Sequence, residues 1–228
     1  MHGVLAFGDS ITNGGGELQW GVALQSWALW TARGLGLPYT GYAVDGAAAR
    51  DVVEEQIPRA ERVSALGADA RYHVGCLYIG VNDVRRDDWD AGEFAERHRA
   101  GLGYVTERCE RTLALTVPAR LGRPATPPRR IEELNGAIEA SAAAAGALVL
   151  DLRDFGARNQ VMADRVHPTA FGQIAIAERA LARLAADGLP TRIHPCTLVS
   201  YSTTWPRRLQ GDITYAYRAA KRYLPGPD

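Results

Sequence analysis

The chain lacks several features that would point to particular classes of protein. It has three cysteines, Cys76, Cys109 and Cys196, which are widely separated and form no CxxC pair. They therefore indicate neither a disulfide framework nor a zinc site. Lysine occurs once, at Lys221, and Lys plus Arg balance Asp plus Glu at 26 each. No net charge therefore draws the chain to nucleic acid or to an anionic membrane.

Long apolar segments are missing as well. No uninterrupted apolar run approaches the roughly 20 residues that a membrane-spanning helix needs. The opening residues, MHGVLAFGDS, have neither a basic n-region nor a long apolar core, so no signal peptide is expected. Together these absences predict a soluble, cytoplasmic protein.

Short apolar segments alternate along the chain with longer amphipathic ones. The short segments are too apolar for a half-exposed sheet, so they are predicted to be strands covered on both faces. They are Gly3–Phe7, Tyr39–Val44, His73–Ile79, Thr112–Val117 and Ala147–Leu152. The predicted helices are Gln25–Gly34, Asp51–Ala65, Glu93–Arg111, Ile131–Ala145 and Ala170–Ala186. This order predicts a single three-layer α/β/α domain with a five-stranded parallel sheet in a flavodoxin-like order.

The pattern changes after Gly188. We therefore expect one domain over residues 1–188 and a C-terminal extension over residues 189–228. Within the extension, Asp212–Leu224 fits a short helix with one apolar face. The extension is expected to pack on the domain, and alternatively on a partner subunit or over the functional site.

Polar segments follow the first, third and fifth predicted strands, at the edge of the sheet where their carboxyl ends meet. Ser10 lies in FGDSITNG and Asn82 in YIGVNDV. Asp164 and His167 lie three residues apart in MADRVHPTAFG. Each segment alone is also consistent with a simpler role: an N-capping serine, an Asn-Asp turn or a surface ion pair. Together they supply a nucleophile, a neutral hydrogen-bond donor, and a base with an orienting carboxylate, as acyl transfer requires.

Other patterns compete with this interpretation less well. Ser10 is not set in a GxSxG elbow, and the run Gly14–Gly16 completes neither a P-loop nor a dinucleotide fingerprint. That run instead predicts a mobile loop beside Ser10. Asp151 and Asp154 are rival partners for His167, but the shorter separation favours Asp164. No metal or organic cofactor is expected.

These segments resemble the sequence blocks of the SGNH hydrolases, also called GDSL lipases or esterases. The matching residues are Gly8-Asp9-Ser10, then Gly80-Val81-Asn82-Asp83, and last Asp164-Arg165-Val166-His167. The resemblance implies the SGNH fold, no cofactor, and a catalytic triad of Ser10, His167 and Asp164. It also implies that Trp27 is a core residue.

The same resemblance implies an oxyanion hole built from three donors: the N–H groups of Ser10 and Gly46 and the side-chain amide of Asn82. Gly46 lies in YAVDGAA, after the second strand. The asparagine that often begins this block in the family is absent here, and Gly41-Tyr42 stands in its place.

The expected function is hydrolysis of a small-molecule carboxylic ester through an acyl-enzyme. Acyl transfer to an acceptor other than water, on the same machinery, is one alternative. A non-catalytic binding protein built on the SGNH fold is another. The sequence specifies neither the acyl chain, nor the alcohol, nor the oligomeric state.

Overall fold

Five parallel strands form one sheet at the centre of the molecule. The computed structural model describes residues 2–19, 21–63 and 70–201, and in the C-terminal segment residues 204–206, 209, 212, 213, 216, 217 and 220. The strands are β1 (His2–Gly8), β2 (Tyr39–Gly41), β3 (Tyr72–Tyr78), β4 (Cys109–Leu115) and β5 (Leu148–Leu150). They are ordered β2-β1-β3-β4-β5, and every neighbouring pair is parallel. The predicted flavodoxin-like sheet is confirmed.

Helices cover both faces of this sheet. They are α1 (Ser10–Asn13), α2 (Trp27–Leu35), α3 (Ala49–Asp51), α4 (Ile57–Val63), α5 (Ala91–Arg108), α6 (Pro128–Ala145) and α7 (Ala170–Ala186). Helix α2 packs on α7, and α5 packs on α6. The β1–β2 and β3–β4 connections run in opposite directions along the sheet, so right-handed crossovers place α2 and α5 on opposite faces. Consecutive β1 residues are consequently buried, from Val4 to Phe7.

Several predicted helices differ from the structure at their ends, and one also differs in its interior. The helix predicted over Glu93–Arg111 ends at Arg108, because Cys109 is extended and pairs with Tyr72 of β3. Glu110 and Arg111, near the start of β4, are charged and not buried, so their pattern continues that of the preceding helix.

The helix predicted over Asp51–Ala65 contains a π-helical segment, Val52–Gln56, between α3 and α4. Pro58 has no N–H to donate and its ring would clash with the carbonyl one turn earlier, which a wider π turn accommodates. The predicted end at Ala65 lies outside the described residues.

The first part of the C-terminal extension packs back on the domain. The N–H groups of Arg192 and Ile193 both donate to the Gly34 carbonyl at the end of α2. The ring of Tyr201 packs against Phe171 of α7 with 4.7 Å between centroids. Residues 189–201 therefore add to the layer formed by α2 and α7.

The predicted helix Asp212–Leu224 lies mostly outside the described residues. Those that are described, Asp212, Ile213, Ala216, Tyr217 and Ala220, are helical. Across the described part of the chain, no helix is long and apolar enough to cross a membrane.

His98, in the middle of α5, is a buried histidine that the fold keeps neutral. It is 1% exposed, and neither ring nitrogen has a hydrogen-bond partner among the described residues. Burial lowers its pKa from 6.5 to about 4. Between pH 6.5 and about 4, His98 is therefore protonated in the unfolded chain and neutral in the folded chain. The free energy of unfolding consequently falls as the pH drops towards 4.

We expect the substitution His98→Leu to stabilise the protein, by about 1–3 kcal/mol at pH 7, because it removes two unpaired buried nitrogens. At pH 4.5 the gain should be larger, since a pKa depressed by about 2.5 units corresponds to about 3 kcal/mol. Urea unfolding at both pH values measures this. His98→Gln is the control: it removes the titration but keeps a buried polar group. If His98→Leu and the wild type lose equal stability between pH 7 and 4.5, His98 is not the acid-sensitive group.

Candidate active site

Ser10 is the first residue of α1, directly beyond the end of β1. The carboxylate of Asp9 caps this short helix by accepting a hydrogen bond from the Ile11 N–H at 2.9 Å. Gly8 is required just before it: its φ is +152°, and a Cβ there would lie 2.4 Å from the Tyr78 carbonyl oxygen. The sequence Gly-Asp-Ser thus places the serine at the carboxyl end of the sheet, as predicted.

Two buried glutamines hold the segment that carries Ser10. Gln56, in the π-helical segment, accepts a hydrogen bond from the Gly8 N–H at 3.1 Å and donates to the Gly8 carbonyl at 2.8 Å. Gln173 of α7 donates to the carbonyls of Ile11 and Gly15, both at 3.0 Å. These residues position Ser10 but were not identified from the sequence, because their partners are 48, 162 and 158 residues away.

The glycine run after α1 is closely packed, unlike the mobile loop that the sequence predicted. The Gly15 N–H donates to the Ser10 carbonyl at 2.6 Å. A Cβ on Gly16 would lie 2.1 Å from the Pro168 carbonyl oxygen, and Gly14 has a φ of +98°. The three glycines therefore allow close contact between the serine segment and the segment that carries His167.

A tight turn brings Asp164 and His167 together. One carboxylate oxygen of Asp164 accepts hydrogen bonds from the backbone N–H groups of Val166, at 2.9 Å, and His167, at 3.1 Å. Arg165, inside the turn, has a φ of +56°, a conformation that is unfavourable for a residue with a Cβ. The second carboxylate oxygen of Asp164 is left to face the imidazole.

Ser10, His167 and Asp164 form one continuous chain of hydrogen bonds. The Ser10 Oγ is 3.0 Å from His167 Nε2, and His167 Nδ1 is 2.8 Å from Asp164 Oδ2. Since the carboxylate can only accept, Nδ1 carries the hydrogen and Nε2 is free to accept the serine proton. The structure thus brings together the three side chains that the sequence analysis assigned to a triad, and their roles as nucleophile, base and orienting acid stay predictions.

The contact between His167 and Asp164 stabilises the imidazolium form of His167 and the carboxylate form of Asp164. Burial acts to raise the pKa of Asp164, but the hydrogen bonds from the His167 ring and the two backbone N–H groups outweigh it and lower the pKa to about 2. The hydrogen bond from Asp164 raises the pKa of His167, and burial opposes it only in part. His167 is therefore a stronger base than a free histidine, with Asp164 ionised beside it.

The rival carboxylates have other partners. Asp151 accepts a hydrogen bond from Thr116 at 3.0 Å, and Asp154 pairs with Arg179 at 2.6 Å. Cys76 is fully buried in β3, and burial raises the pKa of its thiol, so it is a core residue. Trp27 is also fully buried, as expected.

Asn82 and Gly46 lie on two neighbouring turns that are bonded together. The Asn82 amide donates to the Ala47 carbonyl at 2.9 Å, and the Ala49 N–H donates to the Asp83 carboxylate, also at 2.9 Å. Asn82 is half-buried, whereas Gly46 is exposed with a φ of +79°. These two bonds fix the turn after β2 relative to the turn after β3.

Hydrogen-bond donors remain available on these two turns and at Ser10. The Asn82 amide has a second hydrogen beyond the one given to Ala47. Among the hydrogen bonds of the described residues, none uses the N–H of Ser10 or of Gly46. The three groups that were predicted to form an oxyanion hole therefore each keep an N–H hydrogen that no described residue accepts.

Two carboxyl groups next to the predicted site residues are largely withdrawn from water: Asp9 precedes Ser10, and Asp83 follows Asn82. Burial raises the pKa of Asp9 to about 7 and that of Asp83 to about 6. One oxygen of each has no hydrogen-bond partner within the described ranges. A carboxyl of this kind is costly to ionise, so both groups are protonated more readily than a carboxyl in water.

Comparison with known proteins points to one family. A model of the GDSL-like Lipase/Acylhydrolase family matches residues 6–175. No curated protein matches.

Several solved structures share the fold. A lipase/acylhydrolase from Enterococcus faecalis is 22% identical, with a TM-score of 0.62 over 82% of this chain and 96% of that one. A member of the lipolytic G-D-S-L family from Veillonella parvula is 20% identical, with a TM-score of 0.62 over 80% and 97% of the two chains. An acetylxylan esterase from Geobacillus stearothermophilus is 20% identical, with a TM-score of 0.57 over 80% and 94%. At these identities the likeness establishes the fold.

Proposed function

Since the chain belongs to the GDSL-like lipase/acylhydrolase family, whose members are enzymes acting on esters, we propose that it cleaves a carboxylic ester through an acyl-enzyme on Ser10. The observation that carries this proposal is the hydrogen-bond chain from Ser10 Oγ through His167 to Asp164. It pairs a hydroxyl with a base whose tautomer is fixed by a carboxylate.

In the first half of the reaction, His167 Nε2 takes the Ser10 proton as Oγ attacks the ester carbonyl. The imidazolium that forms is stabilised by Asp164. The tetrahedral intermediate then collapses: the bond to the alcohol oxygen breaks, and His167 returns its proton to that oxygen. The acyl group remains on Ser10.

In the second half, His167 takes a proton from water as the water oxygen attacks the acyl-enzyme. The bond between the acyl carbon and Ser10 Oγ breaks, and Oγ recovers its proton from His167. The acid leaves, and the enzyme is regenerated. No group outside the chain is needed for the proton transfers.

The oxyanion of each tetrahedral intermediate is proposed to accept hydrogen bonds from the N–H groups of Ser10 and Gly46 and from the Asn82 amide. Their support is the fixed pairing of the two turns, through the bond from Asn82 to Ala47 and that from Ala49 to Asp83. Donors that are already oriented stabilise developing charge without having to reorganise during the reaction.

Intact-mass spectrometry after treatment with a fluorophosphonate tests the role of Ser10. The expected result is one adduct per chain, mapped to Ser10 and absent from Ser10→Ala. Ser141→Ala is the matched control, because the Ser141 hydroxyl donates to the Ala137 carbonyl within α6. It should be labelled like the wild type. A folded wild-type protein that forms no adduct would contradict the proposal.

We expect Asn82→Ala to lower kcat about 10²–10³-fold with little change in KM, because the lost donor acts on the charge of the intermediate. Initial rates on the best ester of a chain-length series measure this. Asn82→Asp should lose more activity than Asn82→Ala, since a carboxylate repels the oxyanion. Wild-type turnover in a folded Asn82→Ala variant would remove Asn82 from the oxyanion hole.

A further inference from the structure

A cavity of about 590 Å³ lies behind the segment that carries His167, among the segments that follow β4 and β5 and the side of α7. Its volume falls within the roughly 300–1,000 Å³ of small-molecule sites. Ile11, Val166 and Pro168 line it, and these are chain neighbours of Ser10 and His167. The cavity therefore borders the segments that carry Ser10 and His167, and the Ser10, His167 and Asp164 side chains are not part of its lining.

The floor of the cavity is apolar. Tyr78, Phe155 and Ile176 form part of it, and each is buried. Such a surface suits an aliphatic chain, because an apolar group that enters it leaves water.

The rim of the cavity is cationic. Arg120, Arg153, Arg158 and Arg165 line it, and Asp154 is the one acidic residue among the described lining residues. Asp154 is already neutralised by Arg179 at 2.6 Å.

The rim arginines differ in the partners they have. Arg153 pairs with Glu139 at 2.6 Å and with Asp151 at 3.1 Å. The side chains of Arg120 and Arg165 form no ion pair with any residue in the described ranges. They lie on adjacent segments, because the Gly122 N–H donates to the Arg165 carbonyl at 2.8 Å. At Arg120 and Arg165 the rim thus offers positive charge that no acidic side chain in the described part of the chain pairs with.

A carboxylate already contacts this rim. Asp212, from the C-terminal segment, pairs with Arg158 at 3.0 Å. Both side chains are well exposed, at 59% and 60%, so the pair contributes little stability and a competing anion can displace it. The contact shows that a carboxylate can reach the arginine rim at the edge of the apolar floor.

We infer that this cavity is a second binding site, which takes the anion of an aliphatic carboxylic acid. The chain lies on the floor beside Phe155 and Ile176, and the carboxylate binds at the rim to Arg120 and Arg165. A guanidinium binds a carboxylate through two parallel hydrogen bonds, which fixes the orientation of the ligand. This inference does not rest on the proposed role of Ser10, because binding here requires no turnover.

Isothermal titration calorimetry with decanoate tests the inference. The expected result is one saturable decanoate site per chain, with decanol and butyrate at least tenfold weaker, since each lacks either the charge or the chain. Binding should persist after Ser10 has been modified by a small phosphonylating reagent. Persistence would place the ligand outside the active site, whereas loss of binding on modification would overturn the inference.

Substitutions in the lining of the cavity test whether decanoate binds there. Arg120→Ala should weaken decanoate binding about tenfold, and Ala157→Trp should abolish it by filling the mouth, where Ala157 is an exposed lining residue. Arg99→Ala is the matched control: it removes the same charge from an exposed position on α5, outside the cavity. Equal affinities in the wild type, Arg120→Ala and Ala157→Trp would contradict the site. Failure of Ser10 labelling would contradict the proposed function alone.

Discussion

Replacing Ser10 with alanine is expected to lower kcat by about 10⁴–10⁶-fold, and replacing His167 with alanine should cost about as much. The reason is geometric: Ser10 Oγ and His167 Nε2 are 3.0 Å apart, and in the proposed mechanism a single proton passes between them. If either side chain is removed, the other can no longer contribute to the attack on the ester carbonyl. Ester hydrolysis under saturating substrate measures both variants, with Ser141→Ala as the control that keeps wild-type rates.

The double variant is the sharper measurement. If the two side chains act as one unit, Ser10→Ala combined with His167→Ala should be scarcely slower than either single variant. Residual activity would then reflect substrate binding and the oxyanion donors alone. Losses that multiply instead would show that Ser10 and His167 act independently, and the proposed acyl-enzyme mechanism would fail.

The strands and the residues at their ends could be predicted because their signals are local. Apolar runs such as Gly3–Phe7 need burial on both faces, and only a parallel sheet covered by helices provides it. Ser10 and Asn82 follow β1 and β3, which are neighbours in the sheet. His167 follows β5, two strands beyond β3. The approach of Asp164 to His167 also has a local cause, because the Asp164 carboxylate accepts hydrogen bonds from two backbone N–H groups within the next three residues.

The supporting residues could not be predicted, because their signals are not local. Gln56 and Gln173 look like ordinary polar positions of amphipathic helices, yet they are at most 1% exposed and hold the backbone on either side of Ser10. The bond from Ala49 to Asp83 likewise joins turns that are 34 residues apart. Such contacts depend on how the helices dock, which periodicity does not specify.

The glycine run Gly14–Gly16 could not be interpreted from the sequence for a different reason. A glycine run is equally typical of a mobile loop and of a close approach between two backbones. Here a Cβ at Gly16 would overlap the Pro168 carbonyl, so the run serves the close approach. The distinction depends on a residue more than 150 positions further along the chain.

The pH dependence of activity follows from the groups around His167. Its neutral form is the base, and the hydrogen bond to Asp164 raises its pKa above 6.5. Activity should therefore rise with pH, with a midpoint above 6.5 in kcat/KM. Where Asp9 is ionised, its carboxylate also favours the imidazolium and raises the pKa of His167 further.

We expect Asp164→Asn to lower kcat by about 10⁴-fold and to move the pH midpoint of kcat/KM downward. Asparagine can still accept the hydrogen bonds from the Val166 and His167 N–H groups through Oδ1, so the turn should survive. What changes is the group 2.8 Å from Nδ1, where an amide donor replaces a carboxylate oxygen and favours the wrong tautomer. Rates from pH 5 to 9 measure both effects. Asp151→Asn is the matched control and should keep the wild-type profile, because Asp151 bonds Thr116 and Arg153. If it loses activity while Asp164→Asn keeps it, Asp151 is the orienting acid.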